Sequence, residues 1–533
     1  MSASLSVKAT LGLVRRYGGW ASREAIEDYS LRYAPVSYRR WSPYAVAVTA
    51  LGSIAYLADF AIGGSIAVTY GMTNAVAAIC AAALVIFLTG IPIAVYSARY
   101  AIDMDLLTRG AGFGYLGSTL TSLIYASFTF IFFALEGSIM AQALAAGLGV
   151  PLQLGYLVCA LVVIPVVVYG MTALSRLQLW TQPVWLALMV IPFVTRPPGE
   201  WHGSGGVGGG DGSGDGGGFT LVGFGLGAGV ALSLIAQIGE QADYLRFMPE
   251  RRAGRGRIGW WAAVLAAGPG WVVLGALKQL GGALLAVEIV DRVGPERAVQ
   301  PMEQYRAGIG VTALAVFFVV LSQIKINVTN AYSGSLSWAN FFARTLHRHP
   351  GRVVWIFFNV GIALALMELG VFGLLNTVLG FYSNVAIAWI GAVSADLAIN
   401  KPLGLSPRGV EFKRAYLHTI NPVGFGSMVI ASAVSLAAYF GAFGELAHAF
   451  SPFIALGLAI ALAPLLALAT RGRYYLARER DLPPGALLTC VVCGQAYERP
   501  DVADCPFHHG VICSLCCSLE ASCHDLCKTQ DAP

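Results

Sequence analysis

The chain has 533 residues, of which 56% are hydrophobic and only 12% charged. Ordinary soluble domains carry about 25% charged residues, so the composition excludes a soluble globular protein. The net charge of +5 is scattered through short loops rather than gathered on one face, which gives nucleic acid no binding surface.

Residues 1–42 are polar and basic, with Lys8, Arg15, Arg16, Arg23, Arg32, Arg39 and Arg40, and contain no short apolar run with a cleavage site. Repeated apolar runs of roughly 20 residues follow, the signature of a polytopic helical membrane protein. Twelve spans are predicted at about 43–70, 72–97, 113–147, 152–172, 176–195, 219–245, 258–287, 309–342, 352–372, 375–398, 422–442 and 450–470. Alternate loops carry most of the Arg and Lys. Examples are Arg99 and Arg109, Arg251 to Arg257, Arg344 to Arg352, and Lys401 to Arg414. The positive-inside rule then places both termini in the cytoplasm of a cell (inner) membrane.

The first span holds Asp59 beside Gly63 and Gly64, and the sixth contains GFGLGAG at 223–229. Glycine-interrupted spans at related positions of two halves predict broken helices in an inverted repeat, whereas glycines alone serve equally for close packing. Residues 203–218 form a glycine-rich linker, and 286–308 are long enough for a short external helix.

The eighth span is the most polar: LSQIKINVTNAYSGSLSWANFF at 321–342. A lysine at the centre of a span costs roughly 2.5–3.5 kcal/mol, so Lys325 needs a partner. Asn327 and Asn330 share a helical face and offer both donors and acceptors. They suit a binding wall, and equally suit hydrogen bonds between helices. Lys278, Glu368 and Asp396 lie near span ends, where pairing or snorkelling at the interface is expected.

Four segments carry a resemblance: INVTNAYSGSLSWANFF (326–342), DLLTRGAGFGYLGS (105–118), QADYLRFMPE (241–250) and FYSNVAIAWIGAVSADLAINKP (381–402). They resemble the nucleobase:cation symporter family of purine–cytosine permeases and hydantoin transporters, over roughly residues 40–475. The resemblance implies an all-α membrane protein with the LeuT-type fold, a five-plus-five inverted repeat plus two helices, working by alternating access. It places Phe132 and Glu136 where the family stacks on and hydrogen-bonds the substrate ring, with a carboxyl group in place of an amide. Phe132, Glu136, Asn327 and Asn330 are therefore the expected substrate residues. Where sodium-coupled members have small hydroxyl residues, this chain has Ile324–Lys325–Ile326. Lys325 is accordingly expected as a tethered cation, paired with Asp59, which makes proton coupling a better expectation than sodium. A purely structural Lys325–Asp59 or Lys325–Glu136 pair is the alternative.

Eight of the ten cysteines crowd into residues 490–527. They run Cys490-x2-Cys493, Cys505-x2-His508, Cys513-x2-Cys516 and Cys523-x3-Cys527, with Cys517, His509 and His524 to spare. Closely spaced pairs of this kind are metal ligands, and four pairs fit two zinc ions, with an iron–sulfur cluster as runner-up. The expected organisation is an N-terminal segment (1–42), a transporter domain (43–475) and a cytoplasmic metal-binding tail (476–533). The function expected is a permease for a nucleobase-like or related small nitrogenous solute in the lipid bilayer. The alternative is a ligand sensor that passes occupancy through the tail to a docked signalling protein. No catalytic constellation is legible, so an enzyme is not expected.

Overall fold

The computed structural model describes residues 28–195, 218–251, 255–479 and 482–528. Basic residues 8–23 and the glycine linker, Gly218 apart, lie outside the described residues.

Twelve helical segments follow one another at the predicted places. They are α1 (two pieces, Pro43–Gly52 and Ala58–Tyr70), α2 (Met72–Tyr100), α3 (Ser118–Leu148), α4 (Leu152–Val168), α5 (Gly170–Val194) and α6 (Leu221–Leu245). Then come α7 (Gly256–Val293), α8 (Thr312–Leu346), α9 (Arg352–Glu368), α10 (Leu375–Ala395), α11 (Pro422–Tyr439) and α12 (Ser451–Thr470). Among the described residues, nine helices are long and apolar enough to cross a membrane, and ten when the bent α1 counts as one span. Short helices Pro295–Ala298 and Pro301–Ile309 occupy the predicted 286–308 segment.

The start of α1 is set by local chemistry. Ser42 accepts a hydrogen bond from the Ala45 N–H at 3.1 Å, and Pro43 stands at the first helical position, where its missing N–H costs nothing. The first piece runs on through a 3-10 turn to Ala55, and the two meet at 46° across residues 56–57.

The glycines do not mark the breaks. Gly63 and Gly64 lie inside the regular helix Ala58–Tyr70, pressed on α7, where a Cβ on Gly63 would fall 1.8 Å from the Gln279 carbonyl oxygen. GFGLGAG is likewise regular helix, and α6 tightens later, in a 3-10 turn at Ser233–Ala236. These glycines serve close helix approach.

After α12 the chain forms two small antiparallel hairpins and a helix: β1 (Leu487–Thr489) with β2 (Ala496–Glu498), β3 (Val502–Cys505) with β4 (Gly510–Cys513), then α13 (Ser514–Leu519). This unit packs against the helical bundle through Leu31, Ala343, Ala415 and Tyr416. Polar ties reinforce the contact. Arg32 pairs with Asp501 at 2.6 Å, Arg414 with Asp525 at 2.8 Å, and Lys413 donates to the Pro500 carbonyl at 3.0 Å.

Candidate functional site

The break in α1 frees backbone groups in the interior of the bundle, and side chains from two other helices meet them. Glu136 of α3 accepts from the Ala58 N–H at 3.1 Å and the Leu57 N–H at 3.3 Å. Its carboxylate therefore caps the second piece of α1, at the positive end of that helix. Glu136→Ala should cost about 1–3 kcal/mol for each bare N–H, read as a lower unfolding midpoint in detergent, with Glu136→Gln recovering part of it.

On the other side of the break, the Lys278 ammonium of α7 donates to the carbonyls of Ile54 at 2.5 Å and Tyr56 at 2.9 Å. It pairs with Asp59 at 2.8 Å and lies 3.9 Å from the Tyr56 ring centroid. Gln279 completes the Asp59 shell at 2.8 Å. Both charged side chains are wholly buried.

This corrects two expectations. Lys278 is not at the interface, and it, rather than Lys325, is the partner of Asp59. Lys325 of α8 instead donates to Gln178 Oε1 at 2.6 Å and Thr181 Oγ1 at 2.9 Å, both on α5, and meets neither Asp59 nor Glu136. The other two residues expected at span ends divide. Glu368 is exposed at the end of α9, whereas Asp396 is buried, bonding Tyr475 and lying 3.6 Å from Lys401.

Phe132, Asn327 and Asn330 line the adjoining interior and are at most 3% exposed. Phe132 packs on Phe128 at 4.6 Å between centroids. Asn330 donates to Asn327 Oδ1 at 3.2 Å, which leaves Asn327 Nδ2 and Asn330 Oδ1 without a hydrogen bond among the described residues. Gly137, one residue beyond Glu136, admits Met367 of α9, whose Sδ would lie 2.5 Å from a Cβ there. On α6, Glu240 accepts from Gln237 at 2.7 Å through one oxygen, while its other oxygen is buried and unpartnered among the described residues. Tyr56 lies within electrostatic reach of Asp59, Glu136 and Glu240 together. Buried polar atoms are normally paired, so this cluster of unmet ones is informative.

Toward the end of the bundle that carries the hairpin unit, a buried ionic network closes the space between α3, α6 and α8. Arg246 pairs with Asp103 at 3.1 Å and donates to the Tyr332 hydroxyl at 2.8 Å. Asp243 accepts from the Tyr125 hydroxyl at 2.7 Å, and Asp105 from Ser337 at 2.8 Å. Arg344 reaches Ser118 and Ser122, and Arg109 reaches Asn340. Removing one member of a buried pair costs roughly 3–5 kcal/mol. Arg246→Ala should therefore open this end, measured as faster thiol labelling of a cysteine introduced at Ser337.

In the hairpin unit, the Sγ atoms of Cys490, Cys493, Cys513 and Cys516 all lie within 4.8 Å of one another, and this four-cysteine group can bind a metal ion. Tetrahedral zinc at 2.3 Å from each sulfur needs sulfurs about 3.8 Å apart. Backbone N–H groups already point at the sulfurs, from Cys513 to Cys490 at 3.3 Å and from Cys516 to Cys513 at 3.4 Å. Gly494, at φ 72°, turns the first knuckle, where a side chain is disfavoured. His508, expected beside Cys505, instead meets Glu520 at 3.0 Å.

The fold can be set beside solved structures. No family model matches the chain, and no curated protein matches it. Mhp1, a nucleobase-cation-symport-1 family transporter in a closed conformation with bromovinylhydantoin bound, is 18% identical at a TM-score of 0.60, covering 83% of this chain and 96% of that one. Its inward-facing conformation is 19% identical at 0.58, covering 86% and 99%. A substrate-bound, outward-open Na+-coupled sialic acid symporter is 13% identical at 0.54, covering 87% and 96%. The chain has the LeuT-type transporter fold expected from its sequence.

The Glu240 carboxyl group was missed by sequence reasoning, which places Lys278 near a span end. Lys278 lies well inside α7, which continues to Val293.

Proposed function

We propose that this protein is a secondary transporter of the nucleobase–cation symporter type. It carries a small, planar, nitrogen-rich solute by alternating access. The observation that carries the reading is the broken α1, whose freed backbone is met by Glu136 and Lys278 in the buried interior beside Asn327 and Asn330. Unwound backbone facing a polar interior is how this class of fold builds a substrate site. Phe132 supplies a face for stacking. The unmet Asn327 donor, Asn330 acceptor and Glu240 oxygen supply hydrogen bonds to ring N–H and carbonyl groups.

The Lys278 ammonium holds carbonyls that would otherwise suit a free cation, so the coupling ion is a proton rather than sodium. Three carboxyl groups, Asp59, Glu136 and Glu240, lie around Tyr56 with one ammonium paired to Asp59, which gives a proton somewhere to reside. Asp59 and Lys325 remain in the coupling set, Asp59 through Lys278 and Lys325 as the ionisable tie between α8 and α5.

The hairpin unit is a cytoplasmic zinc-binding tail holding two ions, and both termini lie in the cytoplasm of a cell membrane. A second reading, a solute sensor that signals through a protein docked on the tail, draws on one observation: His347, at the end of α8, bonds the Ser518 carbonyl of the tail at 3.2 Å.

Uptake of labelled purines, pyrimidines and hydantoins into proteoliposomes tests the proposal, with sodium and proton gradients imposed separately and binding measured on the same sample. Proton-driven accumulation of one member is the expected result. Binding without uptake under either gradient selects the sensor, and neither binding nor uptake removes the solute class.

A further inference from the structure

The tail contains a second, looser group of sulfurs, outside the 4.8 Å mutual spacing that the first group meets. Cys505, Cys517, Cys523 and Cys527 line one cavity together with Arg414 and Ala415 of the segment between α10 and α11. The Cys517 sulfur is within electrostatic reach of the other three, and Cys505 and Cys517 are buried. The loop that brings up Cys523 and Cys527 is bent at His524 and Asp525, with φ of 45° and 58°. Two consecutive non-glycine residues in the left-handed region persist only where their surroundings demand it.

We infer that Cys505, Cys517, Cys523 and Cys527 form a second, closed four-thiolate metal centre of the zinc class, with Cys517 in the place that spacing alone gives to His508. The inference rests on the zinc-tail reading above. His508 is engaged by Glu520. Cys516 and Cys517, adjacent in α13, then serve different ions, so one peptide bond joins the two centres. The order of pairs along the chain becomes a cross-brace: the first and third pairs hold one ion, and the second and fourth regions, joined by Cys517, hold the other.

The charges agree. Four thiolates around a divalent ion carry a net charge of −2. Arg414 lies within reach of Cys517 and Cys523, and Arg478 and Lys528 within reach of Cys527. Arg414 also donates to the Cys517 carbonyl at 3.2 Å. Two of these cations, Arg414 and Arg478, precede the hairpins. Metal at this centre therefore fastens the tail to the bundle, whereas the first centre is internal to the tail.

Metal per chain, measured by native mass spectrometry on the full-length protein in detergent, tests this. Wild type should hold two zinc ions, Cys517→Ser and Cys505→Ser one each, and His508→Ala two. Cys517→His, which keeps a ligand, should retain two and shows that loss in the serine variant is not misfolding. One ion in wild type, lost on Cys490→Ser, would overturn the second centre and leave the first. Two ions in Cys517→Ser with one in His508→Ala would overturn the ligand set. No metal in wild type would sink the zinc-tail reading itself.

Discussion

Lys278→Ala is expected to make the protein's stability depend on sodium. The substitution leaves Asp59 buried without its cation, and bares the carbonyls of Ile54 and Tyr56 at the same point. Breaking a buried pair from one side costs roughly 3–5 kcal/mol, because an uncompensated charge remains. A small cation entering that place would find a carboxylate and two carbonyl oxygens. A ligand that binds only the folded state at 100 times its dissociation constant returns about 2.7 kcal/mol. The unfolding midpoint of Lys278→Ala should therefore fall well below wild type in choline chloride and rise again in sodium chloride, while wild type responds to neither salt. Asp59→Asn combined with Lys278→Met removes both charges, and should recover most of the loss with no sodium response. If the double variant is no better than the single, the two residues are not energetically paired and the internal-cation idea fails.

Stripping metal from the tail should unfold it while leaving the bundle intact. The unit has two-stranded hairpins, a six-residue helix and a small apolar cluster that leans on the bundle. A segment this small cannot bury enough surface to fold alone. Structural zinc contributes an apparent 10–16 kcal/mol per site in comparable small units. A strong chelator should thus expose Tyr497, buried in β2, to chymotrypsin. Helical circular dichroism should hardly change, since nearly all helix lies in α1 to α12. Cys490→Ser should reproduce the effect without chelator. Continued resistance at Tyr497 in a verified metal-free sample would mean that contacts with the bundle, such as Arg32 with Asp501, suffice.

Span positions were legible because runs of apolar residues report burial in lipid directly, and the register of α8 was legible because its polar residues are so dense. The sites of the helix breaks were not. Glycine signals tolerance of close approach, and here Gly63 and Gly64 meet α7 while the backbone opens at residues 56–57, a stretch with no distinctive composition. Partner choice was equally hidden. Asp59, Lys278 and Lys325 were each visible as costly, but which lysine meets the carboxylate depends on how α7 and α8 rotate about their axes. That is fixed by packing between helices rather than by spacing within one. The segments that carried the family resemblance, 105–118 and 241–250, turn out to supply the ionic network with Asp105, Arg109, Asp243 and Arg246. They mark the closure at one end of the bundle more than the solute wall.

Helix α8 runs unbroken for 35 residues, from Thr312 to Leu346. Asn330 stands near its middle, and its C-cap, His347, touches the tail. At 1.5 Å per residue the two are roughly 25 Å apart. A stiff rod of that reach turns a tilt of about 10° at Asn330 into a sweep of roughly 4 Å at Ser518, longer than the hydrogen bond that joins them. Any rocking of α8 is thus delivered to the tail as a break or a remake of a discrete contact, in the manner of a pawl against a tooth.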